Sequence, residues 1–153
     1  MPESTSRPRV TVPDVIARKN HHLPLTMITA YDATFAKIVD ESGVDMILVG
    51  DSVGSVVQGV ANTIPVTLEE MEYHVRLVAR ANPRALIIGD LPFGSYQVNT
   101  EQAVRSAIRL VKAGAAAVKL EGGVTMQDAI AAISRVDIPV MGHIGLTPQS
   151  YHR

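Results

Sequence analysis

The sequence predicts an α/β fold with a parallel sheet, in its (β/α)8 or TIM barrel form. Short, nearly continuous apolar runs recur along the 153 residues, as strands buried on both faces require. Amphipathic stretches long enough for crossover helices separate them. Four of the runs end in residues able to do chemistry, namely Asp51, Asp90, Lys119 with Glu121, and His143. The C-terminal ends of parallel strands are where such folds bind ligands. An open doubly wound sheet fits the same order of elements. The barrel is preferred, because charged side chains at four consecutive strand ends converge only around a closed or closing ring.

Residues 1–10 are rich in Pro, Ser and charge, which predicts a flexible tail. Residues 11–153 then read as part of one barrel domain. Thr11 as N-cap and Pro13 in the first turn predict a helix over Val12 to Lys19. Leu25 to Ala30 reads as the first strand, closed by Tyr31-Asp32. A helix follows with Phe35, Ile38 and Val39 on one face and Gly43 in the C-cap position. Val44 to Val49 is the second strand.

At its end the chain places Asp51, Ser52, Gly54 and Gly59 in quick succession. Glycine lets a ligand approach the main chain closely, and an acid at a strand mouth suggests a hard-cation or oxyanion site. The stretch from there to Ile64-Pro65 is long for a simple connection and reads as a functional loop. It matches neither a P-loop nor a dinucleotide fingerprint.

Thr67-Leu68-Glu69-Glu70 has the spacing of a capping box, and Leu68, Met71, Val75 and Val78 form the stripe of the next helix. Ala81-Asn82-Pro83 stops it. Ala85 to Asp90 is the third strand, turned by Leu91-Pro92-Phe93-Gly94. Thr100 opens a helix with Val104, Ala107, Ile108 and Val111 on one side, ended by Gly114. The fourth strand runs from Ala115 to Leu120. Thr125 opens the last helix, with Asp128 three residues on and Ala129, Ile130 and Ile133 inward. Ile138 to Gly142 is the fifth strand and leads into His143. A full barrel takes about 250 residues, so the expectation is a barrel cut after about five strands.

Composition narrows the partners. A net charge of −1 gives no reason to expect nucleic acid or an anionic membrane. Cysteine is absent, so disulfide and thiolate chemistry are excluded. No run approaches the roughly 18 apolar residues of a membrane span, and Met1 to Arg9 lacks the apolar centre of a signal peptide. Cytoplasm is the expected compartment.

Asp51, Asp90 and Glu121 offer oxygen donors from neighbouring strands. Carboxylates without His or Cys suit Mg²⁺, Mn²⁺ or Ca²⁺ rather than zinc. Mg²⁺ takes one or two carboxylates directly, which leaves one of the three to act through water. Lys119 and Glu121 share the inward face of their strand. An inward ammonium beside a metal can hold a substrate carboxylate or a developing enolate oxygen, or simply pair with Glu121. Ser52 can offer a hydroxyl or N–H to a carboxylate. His143 fits a proton carrier or a structural hydrogen-bonding residue.

Five segments together are similar to one known family. They are Thr29-Ala30-Tyr31-Asp32, Val49-Gly50-Asp51-Ser52-Val53-Gly54, Gly89-Asp90-Leu91-Pro92-Phe93, Val118-Lys119-Leu120-Glu121-Gly122 and Gly142-His143-Ile144-Gly145-Leu146-Thr147-Pro148-Gln149. In this order they resemble the ketopantoate (3-methyl-2-oxobutanoate) hydroxymethyltransferases, from about residue 11 to 150. The resemblance implies a barrel of the phosphoenolpyruvate/pyruvate type. It implies Mg²⁺ held by Asp51 and Asp90 with Glu121 completing the environment, and a 2-oxo acid contacted by Asp51, Ser52, Asp90 and Lys119. The implied reaction moves a hydroxymethyl group from 5,10-methylenetetrahydrofolate to 3-methyl-2-oxobutanoate through a Mg-stabilised enolate, in pantothenate synthesis. The implied general base is a glutamate on a later strand, beyond Arg153, and the complete protein is implied to be a homo-oligomer. The 153-residue chain alone is then expected to be inactive. The rival readings are another Mg²⁺-dependent 2-oxo-acid lyase or mutase barrel, and a non-catalytic half-barrel acting as an assembly module.

Overall fold

The computed structural model describes residues 8–152. Five parallel strands form one sheet, β1 (Met27–Thr29), β2 (Met46–Val49), β3 (Leu86–Asp90), β4 (Ala117–Glu121) and β5 (Val140–His143), in the spatial order β1-β2-β3-β4-β5. Five helices accompany them, α1 (Val12–Asn20), α2 (Ala33–Glu41), α3 (Leu68–Arg80), α4 (Thr100–Ala113) and α5 (Gln127–Ser134). The strand order decides between the two architectures left open by the sequence. A doubly wound sheet reverses direction at a switch point, whereas here every crossover steps the same way. That is the order of a barrel wall.

Strand alternation then sorts the side chains. Ile47, Val49, Ile87, Val118 and Leu120 belong to the core shared with α2–α5, while Met46, Leu86, Ile88 and Ala117 form a second cluster on the other face. Val12 and Val15 of α1 pack against that inner cluster, so α1 covers the N-terminal end of the inner face. Asp45 fastens it there, accepting from Thr26 N and Oγ1 at 2.9 Å each and from Arg18. Following the inner face upward along each strand leads from these apolar residues to Asp90, Lys119, Glu121 and His143.

The caps follow the sequence closely, with capping boxes at Thr11/Asp14 and Thr67/Glu70. Of the segment 1–10, residues 1–7 lie outside the described residues, and the Val10 N–H donates to Arg84 O at 2.9 Å. Three helical expectations are corrected. On α2 Ala36 is fully buried and Val39, one of the three expected residues, packs against the core, whereas Phe35 and Ile38 are 61% and 57% exposed. This helix packs against α3 and β2, and leaves its other face open among the described residues. On α4 the buried residues are Ala103, Ser106, Ala107, Leu110 and Ala113, and Ile108 and Val111 sit at its margins. Leu110 presses onto Gly89, where an added Cβ would stand 3.2 Å from Leu110 Cδ1. Finally, Thr125 lies in a 3-10 turn, Gly123–Met126, and α5 begins after it without a side-chain cap.

Met27, Ile28 and Thr29 are all exposed, and β1 and β5 each pair on one side only among the described residues. Unpaired strand edges are templates for pairing with another chain. The 153-residue chain expressed alone is therefore expected to self-associate, which sedimentation velocity at several concentrations would show. A monomer unchanged by concentration would refute this.

Candidate active site

Register brings the strand-end residues into pairs. In the parallel ladder Asp90 stands opposite Lys119, and Glu121 opposite His143. The Lys119 ammonium donates to both Asp90 oxygens at 2.8 Å each and lies 3.6 Å from Glu121 Oε1. His143 Nδ1 is 3.1 Å from the same Glu121 oxygen. Asp51 is on the turn after β2, and its backbone N–H donates to Asp90 Oδ2 at 3.3 Å. Asp51, Asp90, Lys119 and Glu121 are each at most 7% exposed. All six residues singled out from the sequence, Ser52 and His143 included, thus lie at one end of the sheet.

The local backbone explains how Asp51 and Ser52 enter this cluster. Gly50 precedes them, and a Cβ there would stand 2.9 Å from Ser52 Oγ, so a side chain would force the serine aside. Ser52 Oγ is instead 3.0 Å from the Tyr31 hydroxyl, and Tyr31 O lies 2.8 Å from His74 Nδ1. After Ser52 the chain makes a single π-helical turn, Gly54–Gln58, closed by left-handed Gly59. Val53 and Val66, both buried, anchor this loop.

Burial also sets the electrostatics. Removal from water pushes Asp90 up to about 7; the Lys119 charge opposes this and the Asp51 charge adds to it. A carboxyl poised in this way is one whose charge needs a cation beside it.

Two further side chains share the cluster. Gln149 donates to Asp51 through its amide and to Glu121 through its backbone, and Tyr96 bonds Gln149 and both backbone groups of Glu121. Gln149 closes one of the motif segments, so its presence was signalled without a role. Tyr96 carries no such signal, because it lies in an irregular loop where no periodicity tells inside from outside. Asp32, an acid closing β1, points elsewhere and caps α2 by accepting from Phe35 N at 2.8 Å.

Among the described residues, no three His, Cys, Asp or Glu side chains form a ready cage for a metal ion. Glu121 is engaged by His143 and Gln149. Asp51 and Asp90 remain as neighbouring carboxylates, with the Ser52 hydroxyl in the same turn. One or two carboxylates completed by water are the donors Mg²⁺ accepts, so the residues present fit such an ion. A groove of about 750 Å³ opens between α3 and α4, lined partly by Phe93, Gln102 and Arg109. It shares no residue with this cluster, and Arg109 there is paired with Glu69 and Glu72.

The chain resembles known proteins in sequence and in fold. Residues 9–153 match the family model described as ketopantoate hydroxymethyltransferase. Relatives named 3-methyl-2-oxobutanoate hydroxymethyltransferase include that of Ignicoccus hospitalis, 57% identical over 144 residues, covering 94% of this chain and 55% of the relative. That of Staphylothermus marinus is 58% identical over 143 residues, covering 94% and 52%. The chain thus spans about half the length of the curated relatives it matches. Among solved structures, a phosphonopyruvate hydrolase complexed with oxalate and Mg²⁺ superposes with a TM-score of 0.69 at 17% identity, covering 84% of this chain and 50% of the other. A 2,3-dimethylmalate lyase, of the PEP mutase/isocitrate lyase superfamily, gives 0.62 at 20% identity, covering 87% and 52%. These likenesses show the fold alone, that of a TIM barrel of which the five-stranded sheet is part of the wall.

Proposed function

The chain belongs to the ketopantoate hydroxymethyltransferase family, and from that premise we propose that it supplies the metal and 2-oxo-acid end of such an enzyme. The reaction is transfer of a one-carbon unit from 5,10-methylenetetrahydrofolate to 3-methyl-2-oxobutanoate, with water supplying the hydroxyl oxygen of 2-dehydropantoate. The observation that carries the reading is the buried Asp90–Lys119 pair, 2.8 Å at both oxygens, set beside Asp51 within a family match over the described barrel wall.

Asp51 and Asp90 would hold Mg²⁺, which when bound supplies Lewis-acid polarisation of the keto group and so acidifies the C3–H bond. The Ser52 hydroxyl and the Lys119 ammonium receive the carboxylate and keto oxygens of the 2-oxo acid. As the proton leaves C3, its electron pair moves toward the keto oxygen, and the fixed Lys119 charge stabilises the enolate that develops. C3 then bonds to the one-carbon unit, whose two C–N bonds are replaced by this C–C bond and by a C–O bond from water, while the folate nitrogens leave as tetrahydrofolate carrying the C3 proton and one proton of the water. Glu121 holds His143 and keeps Lys119 centred between two acids.

Each acid of the site already has another role: the free oxygen of Asp51 is the one assigned to the cation, whose charge lowers its basicity. Asp90 is committed to Lys119, Glu121 to His143 and Gln149, and Asp32 to the N-terminus of α2. We therefore place the base on a part of the relatives' length that these residues do not span. A homo-oligomeric assembly in the cytoplasm is part of the same proposal.

The test is an assay of the complete gene product with 3-methyl-2-oxobutanoate, with and without methylenetetrahydrofolate. The expected result is 2-dehydropantoate only with the folate, and Mg²⁺-dependent exchange of the C3 hydrogen in deuterated water without it. Folate-independent carbon–carbon cleavage would favour a lyase and overturn the proposal.

A further inference from the structure

Asp51 differs from the other acids of the site in one respect. Asp90 and Glu121 are carried on strands whose ladders fix them, whereas Asp51 sits on a turn. Its side chain therefore needs an anchor from outside its own element. Gln149 provides one from the 3-10 turn Pro148–Ser150 that follows β5. Its Nε2 donates to Asp51 Oδ2 and to Leu91 O, both at 2.9 Å, and its backbone N–H donates to Glu121 Oε2 at 3.0 Å. One buried residue, 6% exposed, thus holds one oxygen of each of two acids.

The orientation of that amide is determined. Both Nε2 hydrogens face acceptors, a carboxylate and a carbonyl, while Oε1 accepts from Tyr96 OH at 2.7 Å and Gln97 Nε2 at 3.3 Å. A flipped amide would set oxygen against oxygen at Asp51. Tyr96, 2% exposed, is fixed in turn by Glu121, whose N–H donates to its hydroxyl at 3.1 Å. The anchoring group is neutral, so it orients a carboxylate without competing for its charge. Asp51 Oδ1 makes no hydrogen bond among the described residues, and is left for an electrophile.

We propose that Gln149 is a positioning residue for Asp51 and Glu121, with Tyr96 locking its amide, and that the pair raises the site's affinity for a divalent cation. This rests on the reading of Asp51 as a cation ligand. Groups that orient metal ligands from behind typically contribute about 10- to 100-fold in metal affinity.

The experiment is Mn²⁺ titration followed by electron paramagnetic resonance, on the complete gene product and three variants. Urea unfolding of each establishes that it is folded at the temperature used. Gln149→Leu should weaken Mn²⁺ binding about 10-fold, and Tyr96→Phe should weaken it about threefold, because the amide stays but loses its lock. Asp51→Asn should weaken it most. If Asp51→Asn binds Mn²⁺ like the parent, the cation reading itself fails and this proposal with it. If Asp51→Asn is impaired while Gln149→Leu and Tyr96→Phe bind like the parent, the cation site stands and the positioning role is overturned. Should Gln149→Leu fail to fold, Tyr96→Phe alone decides in the same way.

Discussion

Asp90→Asn is expected to lower kcat/KM of the proposed transfer by roughly 10³-fold, the scale on which loss of one preorganised electrostatic group acts in a buried site. The change is nearly isosteric, and Asp90 is 1% exposed, so packing is preserved while the chemistry is not. In the parent both oxygens accept, Oδ1 from Lys119 and Oδ2 from Lys119 and the Asp51 N–H. An amide offers one oxygen only. Whichever way it turns, its NH₂ faces a donor, and the site loses a negative charge. Mg²⁺ affinity should fall together with kcat/KM, because one carboxylate would serve both. Steady-state kinetics across a Mg²⁺ series, on the complete gene product, provides the check. A variant within tenfold of the parent, with unchanged Mg²⁺ dependence, would remove Asp90 from the machinery.

The site was largely legible in the sequence because parallel strands impose a simple code. A strand buried on both faces is apolar throughout, so Asp90, Lys119 and Glu121 stand out within their runs as residues with no solvation to offset their burial. Period two then puts Lys119 and Glu121 on one face, and the ladder sets Asp90 opposite Lys119. What the strand pattern could not supply was the partner of each group. Lys119 was read against Glu121, its neighbour on the strand, yet its closer partner is Asp90 on the adjacent strand, at 2.8 Å against 3.6 Å. Sequence proximity ranks pairs poorly once a sheet brings distant strands side by side.

The helices were legible at their ends and less so around their circumference. Thr11, Thr67 and Gly114 mark boundaries through local hydrogen bonding and backbone freedom, which need no knowledge of the fold. Gly114 adopts φ of +120°, and a Cβ there would stand 2.4 Å from Ala79 Cβ, so its position serves both the end of α4 and its approach to α3. Facing is another matter. The spacing puts Ile108 and Val111 on the inner side of α4, but Leu110 is the large residue the helix buries, with Ala103 and Ala107 beside it, so the buried stripe is rotated from the one the sequence suggests. Phe35 and Ile38 illustrate the converse, large apolar residues left exposed on a helix that packs chiefly against α3 and β2 among the elements described. Gln149 and Tyr96 escaped assignment for a different reason. Their roles depend on hydrogen bonds to residues far away in the chain, Asp51 among them.

Lys119→Met is expected to destabilise the folded chain by about 1.4 kcal/mol more at pH 8 than at pH 5, because it leaves one member of a buried ion pair without its partner. Methionine replaces the aliphatic stem, so the loss is chiefly that of the ammonium. To ionise, Asp90 would then have to carry its charge at 1% exposure, with Asp51 beside it and no lysine to offset either. The pH dependence follows from the sign of the shift. Burial already holds the Asp90 pKa above its ordinary value, near 7 in the parent, and removing the Lys119 charge pushes it higher still. A group whose folded pKa is raised contributes stability that is present below its unfolded pKa, about 3.9, and is lost as pH rises through the folded value. The deficit of Lys119→Met relative to the parent should therefore be nearly flat between pH 5 and pH 7, where both proteins titrate in parallel, and grow by up to about 1.4 kcal/mol between pH 7 and pH 8. Adding Asp90→Asn to Lys119→Met removes the ionisable group, and the double variant should be more stable at pH 8 than Lys119→Met alone. Urea unfolding of the four proteins in that cycle, without divalent metal and at the three pH values, measures each quantity. A double variant no more stable than Lys119→Met, or a deficit that does not grow with pH, would show that Asp90 is not held in charged form by Lys119. The ammonium would then be free of the role assigned to it, as the fixed positive charge around which the acids of this site are arranged.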